Sequence, residues 1–400
     1  LVVKISGDEM LPGGNTLNEA RIIARELEKA GVQALHVSPG GHETSQPLSP
    51  GFVPKGSFLH LASAIKEEVR LPVITAHIGD PALAEKALSE GKSDLIAFGR
   101  QFIADPSFPL KLKSGKIQEI RRCLRCCQGC YDQVFANQPV TCLVNPAVGR
   151  EKEFDIKSAT QKKNVMVVGA GPAGMEAAYI LASRGYEVHL YEKNHSLGGQ
   201  MRLASIPPGK EEFAFLADYF VKALPEIGVN LHLETLVTPE LVEKEKPQSV
   251  VIATGSEPVI PGIPGFIGSN VVTAHQVLAD NNRVGSRVVI IGGGGTGCET
   301  ALYLARQDRQ ITLLEMLPSA GSDIGISRRG HVRKSLSKCG VQVITGAKVK
   351  EIKESGVVYL KDNHEFTILA DTVVLAMGMR PRNELYESLK GKVKDIYLIG

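Results

Sequence analysis

Asn164-Val165-Met166-Val167-Val168-Gly169-Ala170-Gly171-Pro172-Ala173-Gly174 decides how this chain is read: a hydrophobic strand runs straight into Gly-x-Gly-x-x-Gly. A helical pattern over 175–183 follows, then a second strand, Glu187-Val188-His189-Leu190-Tyr191-Glu192. The unit recurs at Val288-Val289-Ile290-Ile291-Gly292-Gly293-Gly294-Gly295-Thr296-Gly297, with Gln310-Ile311-Thr312-Leu313-Leu314-Glu315 behind it. Glu192 follows Gly169 by 23 residues, and Glu315 follows Gly292 by the same 23. A lone glycine triplet is weak, but here it has its strand, its helix and an acid near the ~20-residue spacing of a dinucleotide fold. The glycines let the backbone approach a pyrophosphate at a helix N-terminus, and the acid accepts from ribose hydroxyls. Two nested dinucleotide sites are predicted, Gly169, Gly171, Gly174 and Glu192 in one, and Gly292, Gly294, Gly297 and Glu315 in the other.

Composition agrees with a large α/β chain. Its 400 residues are 43% hydrophobic and 22% charged, which excludes disorder throughout. With 46 Lys and Arg against 43 Asp and Glu, the net charge of +3 is too small for a dedicated nucleic-acid binder. No apolar run reaches the ~18 residues of a membrane helix, so no membrane partner is expected. A leader sequence is not recognisable, and the expected location is cytoplasmic.

Residues 1–122 alternate strand and helix. Apolar runs at 1–6, 33–38, 72–76 and 94–98 predict strands; 16–30, 57–69 and 81–90 have helical patterns. Such alternation implies parallel βαβ units. Four units make half of an eight-stranded (β/α)8 TIM barrel or a small open sheet, and polar residues at the strand C-termini favour the half barrel. The chain opens on strand-like Leu1-Val2-Val3-Lys4-Ile5-Ser6 and closes on Ile396-Tyr397-Leu398-Ile399-Gly400. A fragment of a longer protein is therefore expected.

Further residues around the two fingerprints resemble the two-dinucleotide-binding flavoprotein reductases. Gly198-Gly199-Gln200 follows the first acid, Ala253-Thr254-Gly255-Ser256 closes the first segment, and Ala376-Met377-Gly378 marks the return from an inserted domain. The resemblance implies FAD at the first site, with contacts from Gly199, Gln200, Thr254 and Gly255, and a nicotinamide cofactor at the second. Glu315 would repel a 2′-phosphate, which favours NADH. Arg328 and Arg329 downstream keep NADPH open.

Five of seven cysteines crowd into Cys123-x2-Cys126-x3-Cys130-x11-Cys142, with Cys127 as an extra. Disulfides are not expected beside cytosolic nucleotide folds. Zinc accepts four thiolates, but the spacing lacks paired Cys-x2-Cys knuckles. A [4Fe–4S] cluster on Cys123, Cys126, Cys130 and Cys142 is favoured, because it carries single electrons between redox cofactors. Cys127 reads as a bystander.

The order barrel-like region, cysteine segment, two-dinucleotide region resembles the iron–sulfur flavoproteins of the old yellow enzyme superfamily, such as 2,4-dienoyl-CoA reductase, 2-enoate reductase and trimethylamine dehydrogenase. The resemblance covers essentially the whole chain. It implies the second half of an FMN-binding barrel over 1–122, a cluster segment and linker over 123–160, an FAD domain over 161–265, an NAD(P)H domain over 266–375 and a return to the FAD domain over 376–400. Lys4, at the end of the first strand, would stand beside the flavin ring where the family usually has Arg. Gly79, Gly99 and Arg100 would hold the FMN phosphate. Gly41-His42-Glu43 resembles the family's Gly-Trp-His-Glu segment, with Gly41 in place of Trp, and makes His42 the catalytic residue that supplies a proton. His36 lies within its strand and reads as structural.

The implied activity is an NADH-dependent ene reductase acting on an α,β-unsaturated carboxylate, thioester or ketone, electrons passing from NADH through FAD, [4Fe–4S] and FMN. The alternative is an amine dehydrogenase of the trimethylamine dehydrogenase type, handing electrons to an acceptor protein. A non-catalytic electron-transfer subunit is a third reading. A disulfide reductase is discarded, because no cysteine lies between Cys142 and Cys298. A homo-oligomer is left open.

Overall fold

In β1 (Val2–Asp8) side chains alternate between two destinations. Val3 and Ile5 pack with Leu35, Val37 and Val73 in the core beneath the helices, so Lys4 and Ser6 take the opposite face. Next come β2 (Ala34–Pro39), β3 (Val73–Thr75) and β4 (Leu95–Ile96), in the order β1-β2-β3-β4 and all parallel. Helices Leu17–Lys29, Leu59–Lys66 and Pro81–Ser89 make the crossovers. Thr16 and Glu19 form a capping box at the first of them, and fully buried Ala20 and Ala24 let that helix lie close on the sheet. The sheet is open, as four strands must be, since closure with ordinary tilt takes about eight.

The computed structural model describes residues 1–41, 44, 50–280 and 284–400. The chain divides into two compact units, Leu1–Val148 and Gly149–Gly400. The cysteine segment belongs to the first.

The second unit holds both fingerprints. β5 (Asn164–Val168), β6 (Glu187–Tyr191), β7 (Asn230–His232) and β8 (Ser249–Ile252) lead to short β9 (Ser256–Pro258). The inserted lobe follows with β10 (Val271–Thr273), β11 (Arg287–Ile291), β12 (Gln310–Glu315) and β13 (Gln342–Thr345). An antiparallel meander of β14 (Lys348–Lys353), β15 (Gly356–Lys361) and β16 (His364–Leu369) precedes β17 (Thr372–Leu375). β18 (Met379–Pro381) then pairs back with β9, and β19 (Ile396–Leu398) joins the first sheet.

Two parallel five-stranded sheets result, ordered β19-β8-β5-β6-β7 and β10-β17-β11-β12-β13. Their central strands are apolar on both faces, Val165–Val168 and Val288–Ile291, because helices or loops cover each side. The first fingerprint helix runs Pro172–Ser183, three residues earlier than its periodicity predicts. Pro172 explains this, since its fixed φ suits the first helical position and it has no N–H to leave unpaired.

Candidate functional site

The two fingerprints repeat each other closely. Gly169 has φ +99° and Gly292 φ +102°, and a Cβ on either would strike the carbonyl of Ala253 or Ala376, the residue just past the neighbouring strand. A Cβ on Gly174 would fall on the carbonyl oxygen of Gly169, and one on Gly297 on that of Gly292. Each acid is tied to its own glycine loop. Glu192 is 6% exposed and accepts from Ala170 N–H at 2.9 Å and Asn194 N–H at 2.9 Å. Glu315 is 7% exposed and accepts from Gly293 N–H at 2.6 Å and Leu317 N–H at 2.7 Å. Carboxylates so placed have the position from which the acid of a dinucleotide-binding fold accepts from ribose hydroxyls.

Around the first loop the structure gathers the other expected residues. Gly199 approaches Gly171 so closely that a Cβ would lie 3.1 Å from its Cα. Gln200 Nε2 donates to Ser256 O at 2.8 Å, and Thr254 Oγ1 donates to Arg382 O at 2.7 Å where β9 and β18 cross back. Gly255 completes that crossing by accepting from Arg382 N–H at 2.9 Å. The space beside Gly171 is open, with nothing within 4 Å of its Cβ position.

The second loop differs in one respect. Asp323 accepts from Gly295 N–H with both carboxylate oxygens, at 2.9 and 3.0 Å. The carboxylate thus lies 3.1 Å from the Cβ position of Gly294, where the first loop is open. Arg328 is buried against Glu299 at 3.7 Å, and Lys210 meets the same Glu299 at 2.7 Å. Arg329 braces the Asp323 loop, donating to Ile324 O at 2.8 Å and Ser322 O at 3.0 Å. Both arginines are thereby engaged inside the lobe.

In the first unit, Lys4 is the third residue of a strand that continues to Asp8, rather than standing at its end. It lies opposite His36 in register, and His36 lies opposite Ile74. The face away from the helices therefore carries Lys4 and His36 side by side. His36 Nε2 is buried without a hydrogen-bond partner. Burial and the charge of Lys4 hold this imidazole below its usual pKa. His77, just beyond β3, has φ +64° and sits edge-on to Phe58 with ring centroids 6.0 Å apart. Burial, then the charges of Arg100, Lys4 and His36, press its pKa down to about 4. Basic groups from four strand regions, Lys4, His36, His77 and Arg100, thus converge on one face. Gly79, also left-handed at φ +74°, follows two residues later, and exposed Gly99 precedes Arg100. His42, the expected proton source, lies outside the described residues.

Among the described residues no two cysteines are joined by a disulfide. Cys123 and Cys142 are pushed above the usual thiol range, chiefly by burial, and each feels the charge of Cys130. Among the described residues no group of three or more His, Cys, Asp or Glu meets as ligands of a metal ion. Arg125, 4% exposed, fastens the segment to the half barrel by donating from Nη2 to Pro50 O at 2.8 Å and to Val53 O. Gln101 accepts from Cys123 N–H at 3.0 Å, and Arg100 Nη1 donates to Cys127 Sγ at 3.0 Å.

Sequence reasoning missed His77, Gln101 and Asp323, and set aside His36 and Cys127. Only His77 carried a local signal, a histidine two residues before the Gly79 already singled out. The others act through contacts between segments some 22 to 32 residues apart, for which no motif exists.

Residues 163–398 match the pyridine nucleotide-disulphide oxidoreductase family, and residues 4–119 match the NADH:flavin oxidoreductase / NADH oxidase family. The chain is 38% identical to a metal reductase from Desulforamulus reducens, covering 100% of this chain and 65% of that protein. It is 42% identical to an NADH oxidase from Thermoanaerobacter brockii, covering 99% and 62%. Its fold matches a solved 2-naphthoyl-CoA reductase in complex with 2-naphthoyl-CoA, with TM-score 0.97, 33% identity and coverage of 100% and 62%. The chain spans about three-fifths of the length of these relatives. Among the described residues no helix is long and apolar enough to cross a membrane.

Proposed function

Because the chain belongs to the pyridine nucleotide-disulphide oxidoreductase family and carries an NADH:flavin oxidoreductase segment ahead of it, we propose that it serves an NADH-dependent flavin and iron–sulfur enzyme reducing an activated C=C bond. The substrate class is an α,β-unsaturated carboxylate, thioester or ketone. The observation that carries this reading is the completeness of the second fingerprint, with glycines, helix and buried Glu315 all in place. An enzyme that sends electrons outward from an amine needs no NADH, so the complete second fingerprint argues for the reductase. The likeness to a naphthoyl-CoA reductase supports an acyl thioester among the substrates.

The residues present fit the groups this reading requires. FMN suits the converging basic face of Lys4, His77 and Arg100, FAD the open first cradle, and NADH the second. The donor set of the cysteine segment suits a [4Fe–4S] cluster: four thiols outside any disulfide in one short stretch, with Cys123 and Cys142 each within electrostatic reach of Cys130. Bound there, such a cluster would take one thiolate from each of the four cysteines, so the four need not surround a single ion. When bound, these groups supply hydride acceptance from NADH, one-electron relay and hydride delivery to the β-carbon.

The chain's own residues do the rest. Glu192 and Glu315 orient the two riboses, and the glycine loops admit the pyrophosphates. Lys4 sets positive charge against the flavin ring edge and favours its electron-rich state. Arg100 offers a planar fork to the phosphate. His42, which follows the β2 segment in the sequence, is the proposed source of the α-carbon proton.

The test is anaerobic. The purified holoprotein is assayed for flavin and iron, NADH is added, and cinnamate or a dienoyl thioester follows. Bleaching by NADH and reoxidation by the unsaturated compound support the reading. Flavin and iron without an NADH response would indicate the amine dehydrogenase, and zinc in place of iron would remove the relay.

A further inference from the structure

Cys127 stands outside the four-cysteine spacing, yet it is withdrawn almost wholly from water at 1% exposure. Its backbone is left-handed, φ +61°, a conformation that residues with a Cβ adopt only at a steric cost. Something must hold it there. Its carbonyl accepts from Asp132 N–H at 3.0 Å. Its sulfur accepts from Arg100 Nη1 at 3.0 Å.

The next residue makes the pairing more informative. Gln101 Nε2 donates to Arg121 O at 3.0 Å while its Oε1 accepts from Cys123 N–H at 3.0 Å. Two consecutive side chains at the start of helix Arg100–Ala104 therefore grip the cysteine segment, one at Cys123 and one at Cys127. The same helix start carries Gly99 and Arg100, the residues facing the FMN phosphate in the proposed function.

We propose that Cys127 is a positioning residue for Arg100, its sulfur fixing the guanidinium so that the fork is already oriented when flavin phosphate arrives. This rests on the reading that FMN binds at Arg100. A guanidinium presents five N–H donors in a rigid plane, so one anchored donor sets the direction of the others. Without this contact the guanidinium loses one of the partners that fix its direction, more ordering is left for flavin binding to supply, and affinity falls. Arg100-Gln101 then acts as a strut joining the flavin site to the first thiol of the cluster segment.

The experiment removes FMN reversibly from the holoprotein and measures rebinding by flavin fluorescence, with iron assayed alongside. Cys127→Ala is expected to weaken FMN roughly five- to ten-fold with iron unchanged. Cys127→Ser keeps an acceptor and is expected to restore binding to within about two-fold. On an Arg100→Ala background, Cys127→Ala should add nothing, because the residue it positions is gone. Wild-type affinity in Cys127→Ala, or equal losses on both backgrounds, would overturn the proposal. Loss of iron together with FMN in both Cys127 variants would also overturn it, by making the thiol a ligand. A wild-type protein that holds no FMN would instead defeat the underlying functional reading.

Discussion

Glu315 accepts the amide proton of Gly293 at 2.6 Å, and Glu192 stands to Ala170 in the same way at 2.9 Å. Each carboxylate also takes the amide two residues beyond itself. Both are therefore oriented before any ribose arrives, and little ordering is left for binding to supply. The two loops are built to one plan and differ in what else touches them.

Replacing Glu315 by Gln removes the charge while keeping the shape. A hydrogen bond to a charged group contributes about 1.5–3 kcal/mol, so NADH affinity should fall by roughly ten-fold or more. FAD content should stay the same, since the proposed FAD site belongs to the Glu192 loop. Titrating anaerobic bleaching against NADH measures both, and a parallel loss of FAD would contradict the separate assignment.

Asp323 occupies the amide of Gly295, one of the groups a pyrophosphate would seek. Its negative charge and its hydrogen bonds both compete with the cofactor. Asp323→Asn should therefore bind NADH several-fold more tightly, by about 0.5–1.5 kcal/mol. Isothermal titration reads this directly, and weaker binding would show that the carboxylate only braces the loop.

Gly174 and Gly297 tolerate no Cβ, because each would meet a backbone carbonyl that cannot give way. Overpacking of this kind costs about 1–3 kcal/mol locally. Gly174→Ala should release FAD, whereas Gly297→Ala should keep FAD and lose the NADH response. Bound-flavin absorbance before and after NADH separates the two outcomes.

His77 makes stability depend on pH. Its folded pKa of about 4 lies below the unfolded 6.5, so between these values the unfolded chain binds more protons. Stability is then fully present above about pH 6.5 and is lost as pH falls toward 4. The loss should be about 1–3 kcal/mol once partial exposure is allowed for. Urea midpoints of flavin-free protein at several pH values should show this slope, and His77→Gln should flatten it. An equal slope in that variant would place the dependence elsewhere.

Much of this was legible beforehand. The four βα units of residues 1–122 were visible from alternation alone, and the structure shifts their bounds by only a few residues. The run at 94–98 yields just Leu95–Ile96, because Asp94 turns its carboxylate to Val73 N–H at 2.8 Å and to Lys66 instead of continuing the strand. The level of Lys4 was misread for a related reason, since β1 extends through Gly7 and Asp8 although neither looks like a strand residue.

The sequence by itself determined the two dinucleotide folds, since their requirements are local. A positive φ at Gly169 and Gly292, a strand before and an acid 23 residues on must each be written into the residues concerned. It equally determined the crowding of thiols between Cys123 and Cys142. Only the tertiary structure decided that Asp323 reaches Gly295, that Lys4 lies beside His36, and that Arg100 grips Cys127. Those contacts join segments that loops of many residues bring together. Their energy is set by distance and burial, and no spacing along the chain encodes either.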